Sequence, residues 1–195
     1  MNEKQFLDLR KRCEALLSEE NHPAGTHLVM GEGSYSPSLV LIGEAPGEKE
    51  AELGRPFVGK AGKNLDEFLS VLHLQREEIY ITNVVKFRPV QEKSPGRLSN
   101  RTPSKKEILA WAPLLKEELS LLRPSLVVTL GNTPLHALAG FATMIGDVHG
   151  SLLPDAACYP LFPLYHPAAV IYNRALQDVY RRDLMSLSAL LPGLS

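Results

Sequence analysis

Residues of types that can hold and activate a ligand stand directly after four short apolar runs of the sequence. These runs cover residues 39–42, 79–85, 126–130 and 161–164, and each is typical of a buried strand. Because the carboxyl ends of parallel strands share one edge of an open sheet, we expect the turns that follow to line one crevice. The turns are Gly43-Glu44-Ala45-Pro46-Gly47, Lys86-Phe87-Arg88-Pro89, Gly131-Asn132-Thr133-Pro134 and Tyr165-His166-Pro167-Ala168.

Three side chains in or near these turns are suited to a planar, polar ligand. His166 stands between an apolar run and a proline, so its ring is expected to project from the strand end, although a structural role is the alternative. Asn83 lies within an apolar run, where an amide is costly unless it is paired. Its acceptor and two donors can read the edge of a nucleobase. Phe57, between glycines and prolines, is either a loop anchor or a stacking platform.

Helical patterns separate the strand-like runs. An apolar stripe appears around residues 65–72, and Ser104 with Glu107 forms a capping box before a long helix. Shorter or terminal helices are predicted over residues 6–17, 132–139 and 178–190. Alternating strands and helices indicate an α/β fold with a mainly parallel sheet, in which Pro163 makes the last strand weak or peripheral. We find no linker, so the prediction is one domain over residues 1–195.

The composition restricts the class of protein. The chain has 195 residues, of which 44% are hydrophobic and 22% charged, as in folded globular proteins. No apolar run approaches the roughly 20 residues of a membrane span, so no membrane association is expected. Two cysteines, Cys13 and Cys158, are too few for a disulfide scaffold or a four-thiolate metal site. We therefore expect a cytoplasmic protein.

Basic residues are concentrated in one segment. The net charge is −1, yet residues 86–106 contain seven lysines and arginines against the single acid Glu92. This segment therefore carries +6 and the rest of the chain −7. Such a distribution favours one surface that faces a polyanion, with a solvated basic loop as the alternative. Residues 89–103 form the longest irregular stretch, which predicts a functional loop there.

Taken together, these motifs resemble the uracil-DNA glycosylase superfamily, most closely its family 4. The resemblance is carried by GEAPGEKE at 43–50, GRPFVGKAG at 54–62, YITNVVKFRP at 80–89, NRTPS at 100–104 and HPA at 166–168. It implies a three-layer α/β/α fold around a central four-stranded, mainly parallel sheet. It also implies a monomeric enzyme that flips uracil out of DNA and hydrolyses its N-glycosidic bond without a metal.

The resemblance also implies roles for individual residues. His166 would donate to the uracil O2, Asn83 would hydrogen-bond the base edge and Phe57 would stack on the ring. The best-known branch has a water-orienting aspartate where this chain has Ala45, so Glu44 and Glu50 are the alternatives for that task. The remaining base-pocket positions are Gly43, Ala45, Gly47, Glu50 and Asn100, and the expected DNA contacts are Lys93, Arg97, Arg101 and Arg174.

The sequence departs from family 4 at the positions of its iron–sulfur cluster. Members of that family hold the cluster on four cysteines, of which only Cys13 has a counterpart here. Phe87 and Trp111 stand at the two later positions, so we predict that the cluster is absent. This departure leaves two alternatives open: a module that binds DNA or a damaged base without cleaving it, and a glycosylase that prefers another deaminated base such as hypoxanthine. A hydrolase of free nucleosides is disfavoured by the basic segment.

Overall fold

The protein folds around one mixed sheet with helices on both faces. The structure, a computed structural model, describes residues 3–20, 22–154, 158–173 and 175–194. The strands are β1 (Glu32–Gly33), β2 (Leu39–Gly43), β3 (Tyr80–Asn83), β4 (Val90–Ser94), β5 (Arg97–Asn100), β6 (Leu126–Leu130) and β7 (Leu161–Leu164). The α-helices are α1 (Glu3–Glu19), α2 (Glu48–Leu53), α3 (Lys60–Val71), α4 (Lys105–Leu122), α5 (Asn132–Ala139), α6 (Ile145–Val148), α7 (Pro167–Tyr172) and α8 (Ala175–Leu190), followed by a 3₁₀ turn, Leu191–Leu194.

Alternation along the strands divides the core into two layers. On β2, Val40 and Ile42 pack with α1, α4 and α5 on one face. Leu39 and Leu41 pack with α3 and α8 on the other face. Since successive side chains of a strand point to opposite faces, a fully apolar strand needs helices on both sides. The predicted three-layer α/β/α arrangement is confirmed.

The sheet has one more strand than the sequence predicted. Its order is β1-β3-β2-β6-β7, in which β2, β3, β6 and β7 are parallel and β1 runs antiparallel to β3. The four parallel strands were predicted, and the two-residue β1 was missed because Glu32 and Gly33 form no apolar run. Pro163 lies in β7 at the sheet edge, as expected, since proline cannot supply the backbone donor of a central strand.

The segment predicted to be irregular is instead a β-hairpin. Strands β4 and β5 pair antiparallel outside the main sheet around a turn at Pro95 and Gly96. Gly96 has φ +76°, and its N–H donates to the Glu92 carboxylate at 2.8 Å. The prediction was wrong because nearly all residues of the hairpin are exposed and polar, so no alternation of apolar residues marks the strands.

The predicted start of α4 is confirmed. The Ser104 hydroxyl accepts from the Glu107 N–H, and the Glu107 carboxylate accepts from the Ser104 N–H, which is a complete capping box. This cap fixes the point where the chain leaves the hairpin and enters the helix. No helix within the described ranges is long and apolar enough to cross a membrane.

Candidate active site at the carboxyl edge of the sheet

The turns after the parallel strands meet at one edge, as the sequence predicted. Gly43 pairs in register with Asn83 at the ends of β2 and β3. A methyl group on Gly43 would lie 2.5 Å from both Asn83 Oδ1 and the Phe57 ring atom Cζ. On Gly131, after β6, it would lie 3.4 Å from His166 Cβ. Gly43, at the end of β2, thus lets Asn83 and Phe57 approach closely, and Gly131, directly after β6, lies against His166.

Asn83 presents a hydrogen-bond acceptor that the protein leaves unpaired. The residue is 3% exposed, and its Oδ1 is buried without a partner among the described residues. Leaving such an acceptor unpaired costs about 1–3 kcal/mol. Its backbone is firmly held, since the carbonyl accepts from Lys86 Nζ at 2.8 Å and the next amide, of Val84, donates to the Gly43 carbonyl at 3.0 Å. The backbone of Asn83 is therefore fixed, while its side-chain acceptor Oδ1 is left without a partner among the described residues.

Phe57 faces His166 from a loop held in an uncommon conformation. The ring centroids are 6.4 Å apart and the planes differ by 25°. Phe57 has φ +53°, a region that bulky residues rarely occupy and that costs on the order of 1–3 kcal/mol. The loop is secured by buried Glu50, whose Oε1 accepts from the Val58 and Gly59 amides at 3.0 and 2.7 Å. Glu50 thus fixes the loop that presents the aromatic ring.

His166 is held as a neutral imidazole. It caps α7, where Nδ1 accepts from the Ala168 N–H at 3.2 Å. Burial also lowers the pKa of His166 below its ordinary value, because a charged ring would lose its hydration. With Nδ1 occupied as an acceptor, the ring proton resides on Nε2. The site therefore contains a neutral N–H donor beside Phe57.

Glu44 lies in the turn after β2 and contacts the turn after β6. Its Oε2 accepts from the Thr133 hydroxyl at 2.7 Å, while Oε1 makes no hydrogen bond to the described residues. Thr133, in the first turn of α5, was not singled out from the sequence, although its position after an apolar run was the available signal. The carboxylate is half-buried and held by one oxygen only.

The remaining predicted pocket residues surround the start of α2. Gly47 is its N-cap, and a methyl group there would lie 2.7 Å from Glu50 Oε2 and 3.6 Å from Asn100 Nδ2. Asn100, at the end of β5, accepts from Arg88 Nε at 2.6 Å. Ala45 is half-buried and packs against the core. These contacts place the base of the hairpin beside the turn after β2.

The basic segment is less exposed than its charge suggested. Lys86 is 1% exposed and its Nζ lies 2.5 Å from the fully buried Glu118, so its assignment to a polyanion-facing surface was wrong. Both guanidinium amino groups of Arg101 bond to Glu107 at 2.7 Å. Lys93 and Arg97 lie exposed on the hairpin. Arg174, also predicted to contact DNA, lies outside the described residues.

The residues at the expected cluster position do not fit an iron–sulfur cluster. Four thiolates are needed, and the sequence contains two cysteines. Cys13 is buried in the core, and burial raises its pKa to about 11, which keeps it a thiol. The fully buried rings of Phe87 and Trp111 lie 5.8 Å apart, and His22 lies 4.1 Å from Phe87. Aromatic packing occupies this part of the fold.

The same sheet edge thus brings together an unpaired amide, an aromatic ring and a buried histidine. The family model described as the uracil DNA glycosylase superfamily matches residues 30–186, which include every residue of this site. The chain therefore belongs to the uracil DNA glycosylase superfamily.

Individual relatives support this membership over most of the chain. A protein of Pyrobaculum aerophilum named Type-4 uracil-DNA glycosylase is 36% identical over 188 residues, which cover 91% of this chain and 92% of that protein. Proteins of the same name from Thermotoga maritima and Saccharolobus solfataricus are 36% and 39% identical over 166 and 163 residues. They cover 85% and 80% of this chain, and 81% and 72% of their own lengths.

Proposed function

We propose that the protein excises uracil from DNA by hydrolysing the N-glycosidic bond, without a metal, and leaves an abasic site. The observation that carries the proposal is the buried, unpaired Oδ1 of Asn83 beside Phe57. An unpaired acceptor at a ligand site lowers the stability of the free protein, and a hydrogen bond from a bound base offsets that loss. The names of the relatives support uracil as that base.

The chemistry of the Asn83 amide suits a flipped uracil. Uracil presents an N–H donor at N3 beside a carbonyl acceptor at O4, which complement Oδ1 and Nδ2 of the amide. Cytosine presents the opposite pattern, an acceptor beside a donor, and would leave two acceptors facing each other. Because the base is out of reach inside a duplex, the nucleotide must first leave the stack at a cost of a few kcal/mol. Stacking on Phe57 offsets part of that cost.

Hypoxanthine is the second candidate substrate, because it presents the same kind of edge. Its N1–H and O6 form a donor and an acceptor in the order that N3–H and O4 form in uracil. Asn83 alone therefore does not separate the two bases. The space that the protein leaves for a base beside Phe57 and His166 would decide between a pyrimidine and a purine.

His166 would stabilise the departing base. As the bond breaks, the sugar becomes oxocarbenium-like and negative charge collects on the base, including O2. A neutral histidine whose Nε2–H points at that oxygen strengthens its hydrogen bond as the charge develops. Fixed donors of this kind are worth about 10²–10³ in rate. The contact between Nδ1 and the Ala168 amide supports this role, because it fixes which nitrogen donates.

Of the two acids near the site, we assign the water-orienting role to Glu44. The Glu50 Oε1 is occupied by the Val58 and Gly59 amides, so it serves the loop that carries Phe57. Each acid bonds through one oxygen, but Glu50 is buried, whereas Glu44 is half-buried and its Oε1 is left for a water molecule. In this assignment the Thr133 hydroxyl orients the carboxylate.

DNA would be held through its phosphates by the exposed hairpin residues Lys93 and Arg97, with Arg174 as a further contact. Arg101 would support the hairpin instead of the phosphates directly, because its guanidinium is bound to Glu107. Neutralisation of phosphates releases counterions, so binding should weaken as salt rises. We further propose that the enzyme acts as a monomer in the cytoplasm.

The test is base release from end-labelled oligonucleotides that contain one uracil, hypoxanthine or xanthine, single- and double-stranded, with EDTA present. Alkali converts each abasic site into a strand break. We expect excision of uracil in EDTA, and loss of excision in His166→Ala but not in His73→Asn. His73 is exposed and has φ +56°, which asparagine tolerates, so it is a matched control.

Other outcomes would select the alternatives. DNA binding without release of any base would replace the proposal with a non-catalytic binding module. Release of hypoxanthine in preference to uracil would change the substrate but not the mechanism. Cleavage of free deoxyuridine as fast as DNA would indicate a nucleoside hydrolase, and loss of activity in EDTA would overturn metal independence.

A further inference from the structure

The backbone carbonyl of Phe57 is confined by two residues, Gly62 and Arg76, of which Arg76 lies outside every motif named above. A methyl group on Gly62, in the first turn of α3, would overlap this carbonyl oxygen, so the slot that holds it exists only because residue 62 is glycine. Within the slot, the oxygen accepts a hydrogen bond from Arg76 Nη2 at 2.7 Å. Phe57 is thus held through its main chain at the residue whose φ is +53°.

Arg76 lies in the connection between α3 and β3 and is itself held on several sides. Its Nη2 also donates to the Gly62 carbonyl at 3.3 Å, and its Nε donates to the Asp66 carboxylate at 2.7 Å. Glu32 lies 3.8 Å from Nη1. The side chain is 23% exposed, so the bond to Phe57 is largely protected from water. Hydrogen bonds from a charged donor are roughly twice as strong as neutral ones.

We propose that Arg76 is a positioning residue that holds the Phe57 ring where it stacks on the base. This inference rests on the proposed function. The Phe57 loop is held by hydrogen bonds at two points. Arg76 donates to the Phe57 carbonyl, and Glu50 accepts from the Val58 and Gly59 amides. A positive φ at phenylalanine is unfavourable on its own, so both sets of hydrogen bonds are needed to keep the ring beside Gly43 and His166.

The inference is tested with Arg76→Met, which keeps an apolar stem and removes every donor. Misplacement of a substrate-contacting group by about 1 Å can cost 10²-fold in rate, so we expect single-turnover excision to fall on the order of 10- to 100-fold. The matched control is Asp66→Ala, which removes the exposed ion pair of Arg76 but leaves its bond to the Phe57 carbonyl. That control should excise at the rate of the unmodified protein.

A double-mutant cycle shows whether Arg76 acts through Phe57. If it does, adding Arg76→Met to Phe57→Ala produces no further loss, because the ring it positions is already gone. Full multiplication of the two effects would overturn the inference, since a general structural defect would slow both backgrounds alike. Arg76→Lys, which can restore one bond to the carbonyl, should recover part of the rate.

A readout that does not depend on excision separates this inference from the proposed function. In hydrogen exchange, the Val58 and Gly59 amides of Arg76→Met should exchange on the order of tenfold faster than those of the unmodified protein, and those of Asp66→Ala should not. If the unmodified protein releases no base, the proposed function fails. The exchange rates then still show whether Arg76 holds the loop that carries Phe57. Unchanged exchange in Arg76→Met would refute it.

Discussion

Replacing Asn83 with leucine should make the protein more stable and inactive at the same time. The buried Oδ1 of Asn83 has no partner among the described residues, and an unsatisfied acceptor costs about 1–3 kcal/mol. Leucine has nearly the same shape and no polar group to desolvate. We therefore expect Asn83→Leu to raise the free energy of unfolding by about 1 kcal/mol, with the gain limited by contacts to Gly43 and Phe57.

The gain is measurable by thermal and urea unfolding. For a domain of 150–250 residues, 1 kcal/mol corresponds to a change in Tm of roughly 2–4 °C. Excision of uracil from single-stranded oligonucleotides is followed on the same samples under single-turnover conditions. We expect a loss of at least about 10²-fold, since the variant can neither accept from N3–H nor donate to O4.

Thr129→Val is the matched control for this experiment. The Thr129 hydroxyl is also buried without a partner among the described residues, but it lies within β6 and away from Asn83. It should gain stability without any change in excision. If Asn83→Leu instead lost 1 kcal/mol or more, or kept its activity, the amide would be a structural residue and the reasoning above would be refuted.

The remaining predictions concern the catalytic donor, the buried ion pair and the hairpin. The rate of excision should stay constant from pH 8 to below 6.5 and fall only in more acid solution, because burial lowers the pKa of His166 and the neutral ring is the active form. A single-turnover pH profile whose decline is centred at or above pH 6.5 would contradict this prediction. Lys86→Met should lower the free energy of unfolding in urea by about 3–5 kcal/mol, because it leaves the buried Glu118 carboxylate without its positive partner. Adding Glu118→Met should restore most of that loss. A double variant as unstable as the single one would disprove the pairing argument. Lys93→Ala and Arg97→Ala should each reduce by about one the slope of log K against log salt for DNA binding, and an unchanged slope in both would remove the hairpin from the interface.

Local patterns in the sequence were sufficient for the elements that carry the site. The apolar runs at β2, β3, β6 and β7 predicted four parallel strands, because strands buried on both faces must be apolar throughout. The residues after each run could then be assigned to one edge by topology alone. The capping box of Ser104 and Glu107 is likewise a short-range feature, so it was visible without the fold.

Only the tertiary structure decided how charged and polar residues are shared between structure and function. Lys86 looks like its basic neighbours in the sequence, yet it is buried against Glu118, which lies 32 residues further along the chain. Glu44 and Glu50 could not be distinguished by type, and they differ because one contacts Thr133 while the other holds the Phe57 loop. The grip of Arg76 on Phe57 likewise joins residues 19 apart. Local periodicity in the sequence determines where charged and polar side chains stand along the strands and turns. Partners that are distant in the sequence determine which of these side chains are bound within the protein and which remain available to a ligand.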